Sequence, residues 1–104
     1  MAKYLFIYHG GGMPDSPEEA QKAMDAWGSW FESLGAAIID GGNPIGGSTT
    51  VLSDGSVASD GGSNPTTGYG LFEADSLDDA IVMAKGCPIL ASGGSVELGE
   101  TFDP

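Results

Sequence analysis

The one histidine and a few of the carboxylates are the groups in this chain best placed to move a proton near neutral pH. His9 closes the apolar run Tyr4-Leu5-Phe6-Ile7-Tyr8 and stands directly before Gly10-Gly11-Gly12. Strand ends beside glycine-rich loops are favoured places for functional groups. Imidazole titrates near neutrality without help, so it suits general acid or base work. The plainer role is a half-exposed strand-end residue bonded to a nearby carbonyl. As an acid or base, His9 needs an orienting carboxylate, a role open to Asp60 in Asp60-Gly61. Asp before Gly also caps turns through its own backbone, so Asp60 has a structural role open to it. Glu97 lies between Val96 and Leu98; if those two face a core, Glu97 points to the other side of its strand. In a partly desolvated cleft its pKa would rise and it would serve as an acid, whereas on an edge strand its charge would deter aggregation. Tyr69 would add a hydroxyl and a stacking face beside that cleft. The expected site is His9 and Asp60 as the catalytic pair, with Tyr69 and Glu97 binding the ligand.

Other chemistries find no support. His9-Gly10-Gly11-Gly12 lacks the Lys-Ser or Lys-Thr of a phosphate-binding loop. The segment from Asp54 to Asp60 lacks the alternating ligands of a calcium loop. One His and one Cys far apart do not make a zinc site. No metal and no organic cofactor is expected. Cys87, flanked by Gly86 and Pro88, reads as a small buried filler, because a reactive thiol wants a cationic neighbour and only Lys85 is near.

The elements that must position these residues are legible in the pattern. The run from Tyr4 to Tyr8 has no polar alternation and predicts a strand buried on both faces. Ser16-Pro17-Glu18-Glu19 is a capping sequence, followed by Ala20, Ala23, Met24, Trp27, Trp30, Phe31 and Leu34 in one apolar stripe, with Gly35 as the stop. Trp27 and Trp30 are expected in the core. Ala36–Asp40 predicts a second strand. Thr49–Ser59 predicts a hairpin around Asp54-Gly55, with a type I′ turn. Gly68–Ala74 predicts another strand, Ser76 caps a second helix carrying Leu77, Ala80, Ile81 and Ala84 on one face, and Ser95–Leu98 predicts the last strand.

The order β-α-β, hairpin, β-α-β predicts an α+β fold, ferredoxin-like, with two helices covering one face of an antiparallel sheet. Since the first strand is apolar on both sides, a second copy is expected to cover the other face, giving a homodimeric α/β barrel. The 104 residues form one expected domain. A chain this short buries only about two thirds of its unfolded surface, so a dimer is a natural source of further core.

Three Lys and no Arg stand against 15 acidic residues, for a net charge of −12. Nucleic-acid binding needs a basic face to displace counterions, so it is set aside, and anionic membranes are disfavoured for the same reason. No segment approaches the roughly 20 apolar residues of a membrane span. The opening run is too short for a signal peptide, so the expected location is cytoplasmic.

Thr49-Thr50-Val51, Asp54-Gly55, Val57, Asp60-Gly61, Gly68-Tyr69 and Gly93-Gly94-Ser95-Val96-Glu97 resemble the YCII-related domain, in its branch named for a DGPF motif. Lys3-Tyr4 through Ile7-Tyr8, the passage from Ala74 to Ala80 and Cys87-Pro88 fit the same branch, so the resemblance covers most of the chain. Asp60-Gly61 matches the first half of the motif, while Gly62-Ser63 stands in place of Pro-Phe. The resemblance implies a dimeric barrel with a cleft on the sheet face and, in some relatives, a His/Asp pair for acid–base or lyase-type chemistry. It is the resemblance that marks Asp60, at the motif's aspartate, as the partner of His9. The leading expectation is a small cofactor-independent enzyme acting on a small organic molecule. The alternative is a non-catalytic ligand-binding or regulatory accessory module, which the missing Pro-Phe favours.

Overall fold

The computed structural model describes residues 2–104. Its elements are β1 (Ala2–His9), α1 (Pro17–Leu34), β2 (Ile38–Asp40), β3 (Thr50–Val51), β4 (Val57–Ala58), β5 (Thr66–Ala74), α2 (Leu77–Lys85) and β6 (Ser95–Glu100). Four strands form one sheet in the order β2-β5-β1-β6. Every neighbouring pair is antiparallel. This is the ferredoxin-like α+β arrangement, two split β-α-β units whose outer strands flank the central pair.

Both helices begin where their caps predict. Ser16 Oγ accepts from Glu19 N at 3.1 Å and Ser76 Oγ from Asp79 N at 3.2 Å, which satisfies donors that the first turn leaves free. Gly35, at φ 53°, ends α1, and a 3-10 turn over Gly35–Ala37 shortens the second strand relative to the expected Ala36 start.

Alternation along β1 sorts its side chains onto two faces. Tyr4, Phe6 and Tyr8 are buried and pack with Phe72, Ala74, Trp30, Ala80 and Ala84 beneath the helices. Phe6 lies 4.5 Å from Phe72 between ring centroids, and Trp30 lies 5.6 Å from Phe72. Trp30 Nε1 donates to Met83 O at 3.0 Å, so the buried indole finds a partner and ties α1 to α2. Trp27 is only partly buried, and Met24 of the same stripe is 68% exposed. Cys87 is buried, and burial pushes its thiol up to about 11, as a structural filler requires.

The opposite sheet face carries Leu5, Ile7 and His9 from β1 and Leu71 from β5, and the aliphatic three are only half-buried. The chain is 18 Å thick along its short axis. A helix with its side chains is about 10–12 Å across, so that thickness accommodates a sheet and one helix layer. Among the described residues no helix packs on the second face of the sheet, and Leu5, Ile7 and Leu71 stay partly exposed there.

The hairpin forms as β3 and β4, two residues each, in a sheet of its own. Its turn differs from the expected type I′. Gly55 has φ 88°, but no residue other than glycine has positive φ among the described residues, so Asp54 stays on the ordinary side. Gly55 N donates to Leu52 O at 2.9 Å and Leu52 N to Ser56 O at 2.8 Å. That is a type I turn followed by a left-handed glycine. The Asp54 carboxylate accepts from both Ser56 N and Ser56 Oγ, which lowers its pKa and explains the preference.

Tyr8 brings a cost into the core. Its hydroxyl is buried with no hydrogen-bond partner, and burial pushes its pKa well above the usual tyrosine value. An unsatisfied buried hydroxyl costs about 1–3 kcal/mol. Tyr8→Phe is therefore expected to leave stability unchanged or to raise it by about 1 kcal/mol. Urea unfolding measures this; a loss above about 1 kcal/mol would mean that the hydroxyl has a partner.

Candidate functional site

His9 is held at the end of β1 by an irregularity in the sheet. Pairing with β5 runs regularly from Ala2↔Ala74 to Tyr8↔Gly68, then shifts so that His9 faces Thr66. Bulges of this kind turn a side chain and concentrate beside active sites. Thr66 Oγ1 lies 3.2 Å from Tyr8 O and 3.0 Å from Gly68 O, so its one proton is shared between two carbonyls that span the break. On the other side His9 pairs with Ser95 and Ile7 with Glu97.

The register brings two expected site residues together. His9 Nε2 lies 2.9 Å from Glu97 Oε1, and His9 Nδ1 lies 3.2 Å from Pro65 O. The imidazole is buried, with its side chain 10% exposed, while the Glu97 side chain is 62% exposed. A carbonyl and an ionised carboxylate can only accept hydrogen bonds. Two acceptors facing the two ring nitrogens are both satisfied only when both nitrogens carry protons. The arrangement therefore favours the imidazolium. The His9 pKa is raised, chiefly by the hydrogen bond to Glu97; desolvation opposes this and the Pro65 carbonyl adds to it.

Asp60 is placed differently. Its Oδ1 accepts from Gly62 N at 3.1 Å, and its carbonyl accepts from Thr50 Oγ1 at 2.6 Å. It is an exposed turn residue, whereas the bonds of His9 go to Glu97 and Pro65. The carboxylate that meets the imidazole is thus Glu97, expected only to line the site. Val96 and Leu98 do pack on the helix side, which leaves Glu97 on the open face. Tyr69 pairs with Ile7, which also pairs with Glu97. Tyr69, Ile7 and Glu97 therefore form one row across three strands. At a strand spacing of about 4.8 Å, the outer two flank Ile7 roughly 10 Å apart.

The sequence reading missed the Pro65 carbonyl. Asn64-Pro65 signalled a loop, but backbone groups leave no residue-type signature. The Glu97 pairing was within reach, because a sheet ordered with β1 inside brings the start of the last strand against the end of the first. Among the described residues no cluster of three or more His, Cys, Asp or Glu gathers to hold a metal ion.

The fold recurs in a solved enzyme. A structure of 5-chloro-2-hydroxyhydroquinone dehydrochlorinase from Burkholderia phenoliruptrix AC1100, in complex with 2,5-dihydroxybenzoquinone, superposes with a TM-score of 0.56 at 20% identity. The match covers 96% of this chain and 95% of that one. Likeness at this identity establishes the ferredoxin-like fold found in dimeric α/β barrels and leaves the reaction open. No family model and no curated protein sequence matches the chain. No helix among the described residues is long and apolar enough to cross a membrane.

The pair makes stability depend on pH. His9 has a folded pKa raised above its ordinary 6.5. The contribution of the pair is fully present below that value and is lost as pH rises through the higher folded one. An NMR titration of the His9 ring should show a midpoint above 6.5 that falls back in Glu97→Gln. A midpoint at or below 6.5 in the unsubstituted chain would show that the contact does not hold the cation.

Proposed function

We propose that this chain is a cofactor-independent acid–base enzyme acting on a small cyclic organic molecule at the open sheet face. The observation that carries the reading is the His9 ring with an acceptor at each nitrogen, set beside an exposed carboxylate. Pro65 O holds Nδ1–H, and a backbone carbonyl there is the usual way of assigning the other nitrogen to chemistry. Nε2–H, presented to a substrate oxygen in place of Glu97, donates its proton and leaves a neutral imidazole. Glu97, facing water, then returns a proton to Nε2 from solvent. Run in reverse, the neutral ring takes a proton and Glu97 stabilises the cation. Tyr69 and Ile7 border the same row and would seat the ring. Glu97 thereby assumes the orienting role expected of Asp60, whose contribution in this reading is to shape the loop leading to Pro65.

Membership of the YCII-related family, in the DGPF branch, is part of the proposal and rests on the sequence resemblance and the shared fold. So is the homodimer. Leu5, Ile7 and Leu71 form a half-buried apolar surface on the uncovered face, which a second copy would cover while walling the ligand space. The solved dehydrochlorinase suggests hydroxylated and chlorinated ring compounds as the first substrates to try.

Proton transfer by a positioned side chain contributes about 10²–10⁴-fold. On a panel of chlorinated and unchlorinated hydroquinones, followed by absorbance and chloride release, His9→Gln is expected to lower kcat/KM by about that factor. Asp60→Asn keeps an acceptor for Gly62 N and is expected to stay within about twofold. An unchanged His9→Gln rate would remove the imidazole from the mechanism. Binding without turnover across the panel would favour the ligand-binding module instead.

The dimer is tested separately. Light scattering of the unsubstituted chain at micromolar concentration should give a dimer, and Leu71→Lys a monomer, since an unpaired charge in an apolar interface is costly. A dimer that survives Leu71→Lys would put the interface elsewhere.

A further inference from the structure

Behind the sheet from the His9 pair lies a cavity of about 840 Å³ between α1, the loop after β1 and the loop after β2. Tyr8, Trp27 and Phe31 form its aromatic wall, and Met13 and Met24 stand at its rim. Tyr8 and Trp27 meet edge-on with centroids 5.2 Å apart, and Trp27 and Phe31 lie 5.8 Å apart. Met13 is 88% and Met24 68% exposed, unusual for large apolar side chains. Thioethers adapt to ligand shape and make favourable contacts with aromatic rings.

What the cavity lacks is as informative. The chain has 15 acidic and 3 basic residues, yet no Asp, Glu, Lys or His borders this space. Its polar groups are neutral, from Asn43, Thr67, Tyr69 and Ser92 and from the backbone of the glycines that line it. Gly10, Gly11 and Gly42 have φ of 70°, 86° and 74°, values that glycine adopts without strain. The lining thus offers apolar walls and neutral donors and acceptors, with no counter-ion for a charged guest. Volumes of about 300–1,000 Å³, mostly apolar with a few fixed polar groups, are those of small-molecule sites.

We propose that this helix-side cavity is a second binding site, separate from the His9 pair, for a neutral planar aromatic molecule. A ring seated there stacks against Trp27 and Phe31 and is covered from the rim by Met13 and Met24. An anion meets the field of a chain at −12 with no cation in the lining, and a cation must shed water with no carboxylate to receive it. The two sites are back to back at the end of β1, where Tyr8 faces the cavity side and His9 the open face.

Gly28 supplies a clean block. It borders the cavity, lies within α1, and a Cβ added there meets nothing within 4 Å. Replacing a helical glycine also favours the helix. Isothermal titration with indole, indole-3-acetate and tryptamine at about 0.15 M salt compares one ring in three charge states, with surface charge screened beyond about 8 Å. Indole is expected to bind saturably, one per chain, with both charged analogues at least about tenfold weaker. Gly28→Phe, still folded by thermal unfolding, is expected to weaken indole at least about tenfold, and Gly28→Ala to leave it within about threefold. Met24→Ser, exposed and neutral to folding, is expected to weaken it by about threefold, should the larger substitution disturb α1. His9→Gln is expected to leave indole affinity unchanged. Equal binding of the three analogues, full affinity in both Gly28→Phe and Met24→Ser, or loss of affinity in His9→Gln would each overturn the proposal. So would an absence of saturable heat up to millimolar indole, including the case in which a second copy of the chain occupies the cavity.

Discussion

The constraint on which the rest depends is the position of β1 in the middle of the sheet. It pairs with β5 along one side and β6 along the other, so its alternation is imposed on both neighbours. Tyr4, Phe6 and Tyr8 go under the helices, and Leu5, Ile7 and His9 go to the far face. A slip of one residue would exchange the two sets, burying the imidazole among aromatic rings and exposing Phe6. The interlock of Phe6, Phe72 and Trp30 holds the register, and through it the register holds the site.

Much of this architecture could be read from residue types. The caps at Ser16 and Ser76, the stop at Gly35 and the apolar stripe of α1 are local signals with local causes, and they were legible for that reason. The hairpin was placed correctly while its turn type was not, because Asp54-Gly55 suits two turn geometries and the Ser56 hydrogen bonds decide between them. Met24 illustrates a different limit. Its spacing assigns it to the buried stripe, but spacing says only which way a side chain points. Whether the neighbouring surface closes over it depends on the glycine-rich loops, and they leave a cavity there.

The contact between His9 and Glu97 was not legible in the sequence. Alternation put Glu97 on the face away from the core, His9 stood out as a strand end before glycines, and Tyr69 was expected beside the same cleft. The choice of Asp60 as partner leaned on its place in a motif, and the chain uses that carboxylate to close its own turn. Glu97 reaches the imidazole because antiparallel pairing sets Ile7 opposite it and a bulge turns His9 towards the same edge. The third participant, a carbonyl, has no signature that a residue type could carry.

The partners of His9 are 56 and 88 positions away along the chain. Both central pairings of β1 are similarly distant, since Ala2 meets Ala74 and Tyr4 meets Glu100. Closing such long loops costs entropy before any contact rewards it, and topologies of this kind fold more slowly than locally paired ones. A chain with only its helices and hairpin formed would have a solvated histidine and no pair. Pairing of His9 with Glu97 is therefore a late event in folding, and its ring signal would report completion of the sheet.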